Sequence, residues 1–125
     1  MLSDAPAFSG FSVDDITVAR EFYRGTLGLV ALDREGAMLD LELAGGHRVL
    51  VYEKPGHQPA TFTVLNFSVE DVPGTVARLT ERGVRFERYE GTPAQTDEDG
   101  VFRGGGPLIA WFTDPAGNVL SVVEA

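Results

Sequence analysis

A duplication within the sequence limits what this chain can fold into more than any other feature. The segment Phe11–Ile16, with the sequence FSVDDI, recurs 56 positions later as Phe67–Val72, with the sequence FSVEDV. A second pair of similar segments, Gly46–Glu53 and Gly117–Glu124, lies 71 positions apart. Each half of the chain therefore opens and closes with a similar segment, which is typical of a fold built from two copies of one unit.

Both halves open with the same predicted strand and helix. Apolar residues alternate with small or polar residues through the opening segment of each half, as a half-buried strand requires. Asp15 and Asp71 follow, and an aspartate at this place is suited to cap the first turn of a helix. The helical patterns end at Gly28 and Gly83, and glycine is the residue that most often terminates a helix.

Period-two patterns predict three more strands in each half. They cover 29–34, 38–43 and 48–53 in the first half, and 84–89, 108–113 and 119–124 in the second, with a long loop at 90–107. We therefore expect an α+β fold with two tandem βαβββ modules, about 5–55 and 61–125, in a single domain. Packing such units leads us to expect a curved mixed sheet around a cup, with the helices outside.

Charge and composition exclude several classes of partner. The chain has 125 residues with a formal net charge of -9 and no Lys/Arg-rich run, so nucleic acid is not an expected partner. There are no cysteines, which excludes disulfides and thiolate metal sites. No segment approaches the length of a membrane span and no signal peptide is recognisable, so we expect a cytoplasmic protein with no membrane partner.

Two motifs at opposite ends of the chain resemble a known family. The pattern from Val13 to Leu29 (strand, Val-x-Asp, helix, Phe-Tyr-x-x-x-Leu-Gly-Leu) resembles the opening of vicinal oxygen chelate proteins. The segment from Trp111 to Asn118, WFTDPAGN, is similar to their closing Asp-Pro-x-Gly-Asn signature. That superfamily includes glyoxalases, bleomycin-resistance proteins and extradiol dioxygenases, and the likeness spans nearly the whole chain.

The resemblance also implies where a metal would be held. Metal-dependent members use four ligands, mostly His, Gln and Glu, and the corresponding positions here are Phe8, Leu50, Val64 and Ser121. Together these four side chains offer one neutral oxygen, whereas a divalent metal needs several converging donors. We therefore predict neither a metal nor another cofactor at this place.

Other candidate metal or catalytic residues have plainer interpretations. His47 and His57 are predicted to be exposed loop residues, and the segment from Asp97 to Gly100 to be an acidic surface turn that lacks the ligands of a calcium loop. In the long loop, Phe102 and Arg103 either close over a ligand, or Phe102 attaches the loop to the body of the protein.

Strand parity predicts the lining of the cup. It directs mainly apolar side chains inward, with Tyr52, Asn66 and Ser121 as hydrogen-bonding groups, and leaves undecided whether Trp111 lines the cup or braces the sheet. The predicted ligand-binding residues are Phe8, Leu50, Tyr52, Val64, Asn66, Phe102, Arg103, Trp111 and Ser121.

Three functions are compatible with these features. The first is metal-free binding of a small, partly apolar molecule, as in the antibiotic-sequestering members of the family, which generally form homodimers. The second is a lyase, isomerase or dioxygenase that uses carboxylates of the long loop or a metal at unusual positions. The third is an interaction or regulatory module whose cup is filled by its own side chains.

Overall fold

The computed structural model describes all residues from 1 to 125, which form two compact units, Met1–Gln58 and Pro59–Ala125. Each unit contains one sheet and one main helix, so the chain has the α+β class that the sequence predicts. No helix is long and apolar enough to cross a bilayer.

The first unit contains a four-stranded sheet in the order β1-β4-β3-β2. Its elements are β1 (Ser9–Val13), α1 (Ile16–Arg20), β2 (Val30–Arg34), β3 (Met38–Glu42) and β4 (Arg48–Glu53). Strands β1 and β4 are parallel, whereas β3 is antiparallel to both β2 and β4. This is the βαβββ arrangement predicted for the first half.

Helix α1 begins where the sequence predicts. The Asp15 carboxylate accepts hydrogen bonds from the backbone N–H groups of Thr17 and Val18, and Glu53 accepts one from that of Ile16. These bonds satisfy donors that a helix start would otherwise leave unpaired. Glu53 thus lies on the helix side of the sheet. After Arg20 the helix continues as a π-helical turn, Glu21–Thr26.

The second unit contains a three-stranded sheet in the order β5-β7-β6. Its elements are β5 (Thr63–Val69), α2 (Val72–Glu81), β6 (Ile109–Thr113) and β7 (Val119–Glu124). Strands β5 and β7 are parallel, and β6 and β7 are antiparallel. Asp71 caps α2 by accepting from the backbone N–H of Gly74, as its counterpart Asp15 does in α1.

The closing motif forms the turn between β6 and β7. The buried carboxylate of Asp114 accepts hydrogen bonds from the backbone N–H groups of Ala116 and Asn118 and from the Asn118 side chain. Gly117 has a φ of 86°, a left-handed conformation that favours glycine. The residues of the closing motif that resemble the family signature, Asp114 to Asn118, therefore form this turn.

The strand predicted at 84–89 is wrong as a regular strand. Only one bridge, between Phe86 and Phe112, connects this segment to the sheet. The carbonyls of Glu87 and Arg88 instead accept hydrogen bonds from Thr96 in the following loop. The segment ends at Tyr89, whose positive φ of 48° cannot continue a strand. The segment therefore divides its backbone hydrogen bonds between β6, where the Glu87 N–H donates to the Trp111 carbonyl, and the long loop, where the Thr96 N–H donates to the Arg88 carbonyl.

Each sheet buries one face and leaves the other more open. In the first unit the buried face carries Phe11, Val13, Leu39, Leu41, Val49 and Val51. Phe11 contacts Tyr23 of the π-helical turn, with ring centroids 5.9 Å apart. In the second unit Ala110, Phe112, Leu120 and Val122 are buried, and α2 packs on β6 and β7. The opposite face of each sheet, here called its open face, carries those predicted site residues that lie in regular strand register, which are Leu50, Tyr52, Asn66, Trp111 and Ser121.

Candidate binding site

A row of three residues crosses the open face of the second sheet. Asn66 on β5 pairs in register with Ser121 on β7, which pairs with Trp111 on β6. Cross-strand partners project from the same face of a sheet, so the three side chains are neighbours. Ser121 is fully buried, and its Oγ donates a hydrogen bond to Oδ1 of Asn66 at 2.6 Å. The Asn66 amide Nδ2 is thereby left as a donor at an exposed position.

Two further aromatic rings contact Trp111. The Tyr89 ring meets it edge-on, with centroids 5.4 Å apart, and the Phe102 ring is tilted against it at 5.7 Å. All three side chains are half-buried. Rings at these separations and angles attract one another beyond the area that they bury. We call Tyr89, Phe102 and Trp111 the aromatic cluster.

Tyr89 is a site residue that the sequence did not reveal. Tyr89 is the last residue of the segment predicted as a strand, and its left-handed backbone conformation turns the chain so that its ring reaches Trp111. Burial, and the nearby carboxylate of Glu87, raise the pKa of its hydroxyl above the ordinary value. Tyr89 therefore stays a neutral hydrogen-bonding group at physiological pH.

The loop at 90–107 is held in place by its own side chains. Val101 is fully buried, and the hydroxyl of buried Thr96 donates to the carbonyl of Glu87. The Asp97 carboxylate accepts from the backbone N–H groups of Asp99 and Val101 and from Nε of Arg103 at 2.8 Å. These donors, led by Arg103, lower the pKa of the Asp97 carboxyl. The acidic turn thus organises the loop.

Phe102 and Arg103 therefore have separate contacts. Phe102 attaches the loop to the sheet, both through its ring on Trp111 and through a backbone bridge to Ile109. Because its ring is also half-exposed, Phe102 remains available to a bound molecule. Arg103 is held by Asp97 and is not part of the aromatic cluster.

In the first unit, the structure places Leu50 and Tyr52 on the open face, each half-buried. Tyr52 pairs in register with Ser12, whose Oγ lies 2.6 Å from Nδ1 of His57. The prediction of His57 as an exposed loop residue is therefore wrong: it is half-buried because the loop after β4 folds back to reach Ser12. His47 is exposed, as predicted.

The open face of the first sheet also carries a group of charges that the sequence analysis missed. Asp40 on β3 pairs in register with Leu50, and its Oδ2 lies 3.5 Å from Nη1 of Arg34 and 3.9 Å from Nη1 of Arg48. The Arg48 guanidinium also lies over the Phe8 ring, 4.5 Å from its centroid. The hairpin at Gly45 sets this register, and applying strand parity across it identifies Asp40 as a neighbour of Leu50.

The four positions implied as metal ligands do not suit a metal. Phe8 is exposed and stacked under Arg48, and Leu50 pairs with Gly10. Val64 lies where the register of β5 shifts, and the Ser121 hydroxyl is bonded to Asn66. Nor does the chain bring three His, Asp or Glu side chains together in a group able to hold a metal ion.

Comparison with known proteins agrees with this fold. TnmS3, an antibiotic binding protein from Streptomyces sp. CB03234, is 26% identical over 97% of both chains, with a TM-score of 0.67. A glyoxalase/bleomycin resistance protein from the same organism is 27% identical over 94% of this chain and 99% of its own, with a TM-score of 0.61. Lactoylglutathione lyase from Agrobacterium tumefaciens, 20% identical over 98% of this chain and 94% of its own, has a TM-score of 0.66 and supports the fold alone.

No curated protein sequence matches the chain. The family model for the Glyoxalase/Bleomycin resistance protein/Dioxygenase superfamily, in contrast, matches residues 8–122, which includes both modules and both motifs. The chain belongs to the glyoxalase, bleomycin resistance protein and dioxygenase superfamily.

Proposed function

We propose that this chain binds a small, partly apolar, planar molecule without a metal, on the open face of its second sheet. The observation that carries the proposal is the half-exposed aromatic cluster beside an outward amide donor on Asn66. Ligand sites commonly combine a mainly apolar lining with a few fixed polar groups. Antibiotic or metabolite sequestration is a function of this kind.

The aromatic cluster is suited to a flat ligand for a physical reason. Trp111 contacts Tyr89 and Phe102 at angles of 61° and 49°, so neither of these rings stacks face to face on the indole. A planar molecule can then contact ring faces or edges that are still accessible, and a ring pair contributes about 0.5–1.5 kcal/mol beyond buried area. The Asn66 amide would orient a carbonyl or hydroxyl of the ligand.

One of the similar proteins supports the same class of function. TnmS3 is described as an antibiotic binding protein, and it matches this chain along nearly the whole length of both. Because one fold hosts many functions, the proposal rests on the aromatic cluster, and the relative only agrees with it.

The test uses the neutral probe N-phenyl-1-naphthylamine, which fluoresces on entering an apolar site. We expect the wild-type chain to bind it and to quench Trp111, the only tryptophan, which makes protein fluorescence specific to the cluster. Trp111→Leu and Phe102→Ala should each weaken binding by about tenfold, the effect of losing one aromatic contact and part of its buried area.

Phe62→Ala is the matched control, since Phe62 is a largely exposed aromatic residue of the same unit. It should bind the probe like the wild type. Equal loss of affinity in the control, or unchanged affinity in Trp111→Leu, would place binding elsewhere and refute the proposal.

Metal-dependent catalysis is addressed by a separate measurement. We expect protein purified without a chelator or affinity tag to contain less than stoichiometric metal, and divalent ions to leave its thermal midpoint unchanged, because a metal that binds only the native state would raise it. A stoichiometric, stabilising metal would instead favour the enzyme hypothesis.

Two expectations stay predictions. The homodimer implied by the family resemblance should be visible as a doubled molar mass in sedimentation equilibrium. A cytoplasmic location is consistent with the lack of cysteines, and fractionation of the producing cells would test it.

A further inference from the structure

We infer a second binding site, on the open face of the first sheet, where Arg34 and Arg48 bind the carboxylate of an organic acid that has an apolar body. This site lies in the first unit and uses none of the residues of the aromatic cluster. The inference therefore goes beyond the proposed function and does not depend on it.

The two arginines are positioned by one carboxylate. Asp40 is mostly buried, with 13% of its side chain exposed, and lies within 4 Å of both guanidinium groups. In the strand register, Arg34 and Arg48 lie one row to either side of Asp40, on the two flanking strands. Both guanidiniums are thus brought toward one point on the face, and each stays about half-exposed, at 45% and 44%.

Asp40 holds these arginines more loosely than the carboxylates of the two shortest ion pairs of the chain hold theirs. Arg20 approaches Asp33 to 2.7 Å and Arg103 approaches Asp97 to 2.8 Å, which are ordinary lengths for a charge-assisted hydrogen bond. At Asp40, Nη1 of Arg34 donates a long hydrogen bond of 3.5 Å to Oδ1, and Nη1 of Arg48 lies 3.9 Å from Oδ2, which is too far for a hydrogen bond. Since a guanidinium has five N–H donors, most donors of this pair remain for a second anion.

The charge balance of the face permits an anion but does not attract one from a distance. Two guanidiniums face the carboxylates of Asp40 and Glu42, and Glu42 is the register partner of Arg48. No ion pair joins Glu42 to Arg48, and the whole chain carries -9. Binding must therefore come from short-range bidentate contacts, which arginine makes well with carboxylates.

The neighbouring side chains indicate an apolar body on the ligand. Phe8 is 55% exposed beneath Arg48, and Leu32 is 48% exposed beside Asp40. Leu50 completes the row on the other side of Asp40. Apolar groups around a pair of cations suit an amphipathic acid better than a bare inorganic anion, because they shield the ion pair from water.

The test compares two probes that differ only in the head group, 4-phenylbutyrate and 4-phenylbutan-1-ol. We expect the acid to bind the wild-type chain more tightly than the alcohol by isothermal titration calorimetry. Arg34→Gln and Arg48→Gln should each weaken binding of the acid by about tenfold or more, as the loss of a hydrogen bond between charged groups does. Neither should change the affinity for the alcohol.

Direct contact is measured on the arginines themselves. Addition of 4-phenylbutyrate should shift the Nε–Hε resonances of Arg34 and Arg48 in ¹⁵N spectra, and those of exposed Arg85 should stay in place. Asp40→Asn should bind the acid more tightly, because it removes a competing anion.

Three results would overturn the inference. The first is no binding of the acid to the wild type, and the second is unchanged affinity in Arg48→Gln. The third is a loss of affinity in Arg85→Gln or Trp111→Leu as large as in Arg48→Gln, which would indicate general charge attraction or the aromatic cluster. Correct folding of each variant is checked by its thermal midpoint, so that a destabilised variant is not mistaken for a binding defect.

Discussion

The Ser121 hydroxyl donates to Oδ1 of Asn66 at 2.6 Å, and this bond determines which end of the Asn66 amide faces outward. An asparagine side chain presents either its carbonyl oxygen or its NH2 group. With the oxygen engaged by a fully buried serine, the NH2 group is the one left for a ligand. Ser121 therefore acts on binding through Asn66.

Ser121→Ala should weaken binding of a ligand that accepts a hydrogen bond. The variant frees the Asn66 amide to rotate, so that the donor is no longer fixed in one orientation. We expect a loss of about 1 kcal/mol in unfolding free energy, the usual net contribution of one hydrogen bond, and a several-fold loss of affinity for 1-naphthaldehyde. Urea unfolding and fluorescence titration measure the two effects.

Ser68→Ala is the control for this variant, since Ser68 projects from the same face of β5. It should leave the affinity for 1-naphthaldehyde unchanged. Equal affinity in Ser121→Ala and the wild type would show that the orientation of Asn66 does not contribute to binding.

Gly104→Ala should move Phe102 away from Trp111. A Cβ atom at Gly104 would lie 2.5 Å from Cε1 and Cζ of the Phe102 ring, so the ring must shift. We expect altered Trp111 fluorescence and weaker N-phenyl-1-naphthylamine binding, with little change in the thermal midpoint. The control is Gly25→Ala, because Gly25 has open space around it, and this variant should keep the wild-type fluorescence. Gly105 is unsuitable as a control because its φ of 144° disfavours any side chain. Wild-type fluorescence in Gly104→Ala would contradict the prediction.

The loop should lose one of its attachments in acid. The pKa of Asp97 is lowered from 3.8, mainly by Arg103 and then by the N–H of Val101, because these donors favour the charged form. The stabilising contribution of the ionised Asp97 carboxylate is therefore complete above pH 3.8, and it is lost as the pH falls through the lowered pKa. Trp111 fluorescence should change in that range, since Phe102 connects the loop to Trp111.

Asp97→Asn separates this effect from general acid unfolding. The amide keeps one acceptor but does not titrate, so the variant should lack the acid transition and show a less anchored loop at neutral pH. If the variant and the wild type have the same fluorescence profile between pH 7 and pH 2, Asp97 is not the titrating group.

The sequence was a good guide wherever a local rule decides the structure. The alternation of side chains along the strands and the capping roles of Asp15 and Asp71 are confirmed, because both depend on near neighbours along the chain. The family resemblance is confirmed by the family model over residues 8–122. The predictions for 84–89 and for His57 were wrong because contacts with residues farther away along the chain determine both structures. The Thr96 hydroxyl donates to the carbonyls of Glu87 and Arg88. The Ser12 hydroxyl is hydrogen-bonded to the His57 ring.

In the candidate site, too, the sequence predicted the features that depend on near neighbours along the chain and missed those that depend on distant contacts. Parity placed Asn66 and Ser121 on one face, but it could not supply Tyr89, which depends on a left-handed turn, or decide the role of Trp111. The strand registers across the two hairpins are sufficient to place Arg34, Asp40 and Arg48 on one face of the sheet. Taken one at a time, however, these residues resemble ordinary surface charges.

The duplicated caps allow one last comparison within the chain. Asp15→Ala and Asp71→Ala should each lower the unfolding free energy by about 1 kcal/mol, the usual effect of removing an N-cap acceptor. Asp15→Asn and Asp71→Asn keep the acceptor and should cost much less. Urea unfolding of the four variants measures this. If the asparagine variants were as unstable as the alanine ones, the negative charge near the helix start would be the stabilising feature, and the hydrogen bonds to Thr17, Val18 and Gly74 would not.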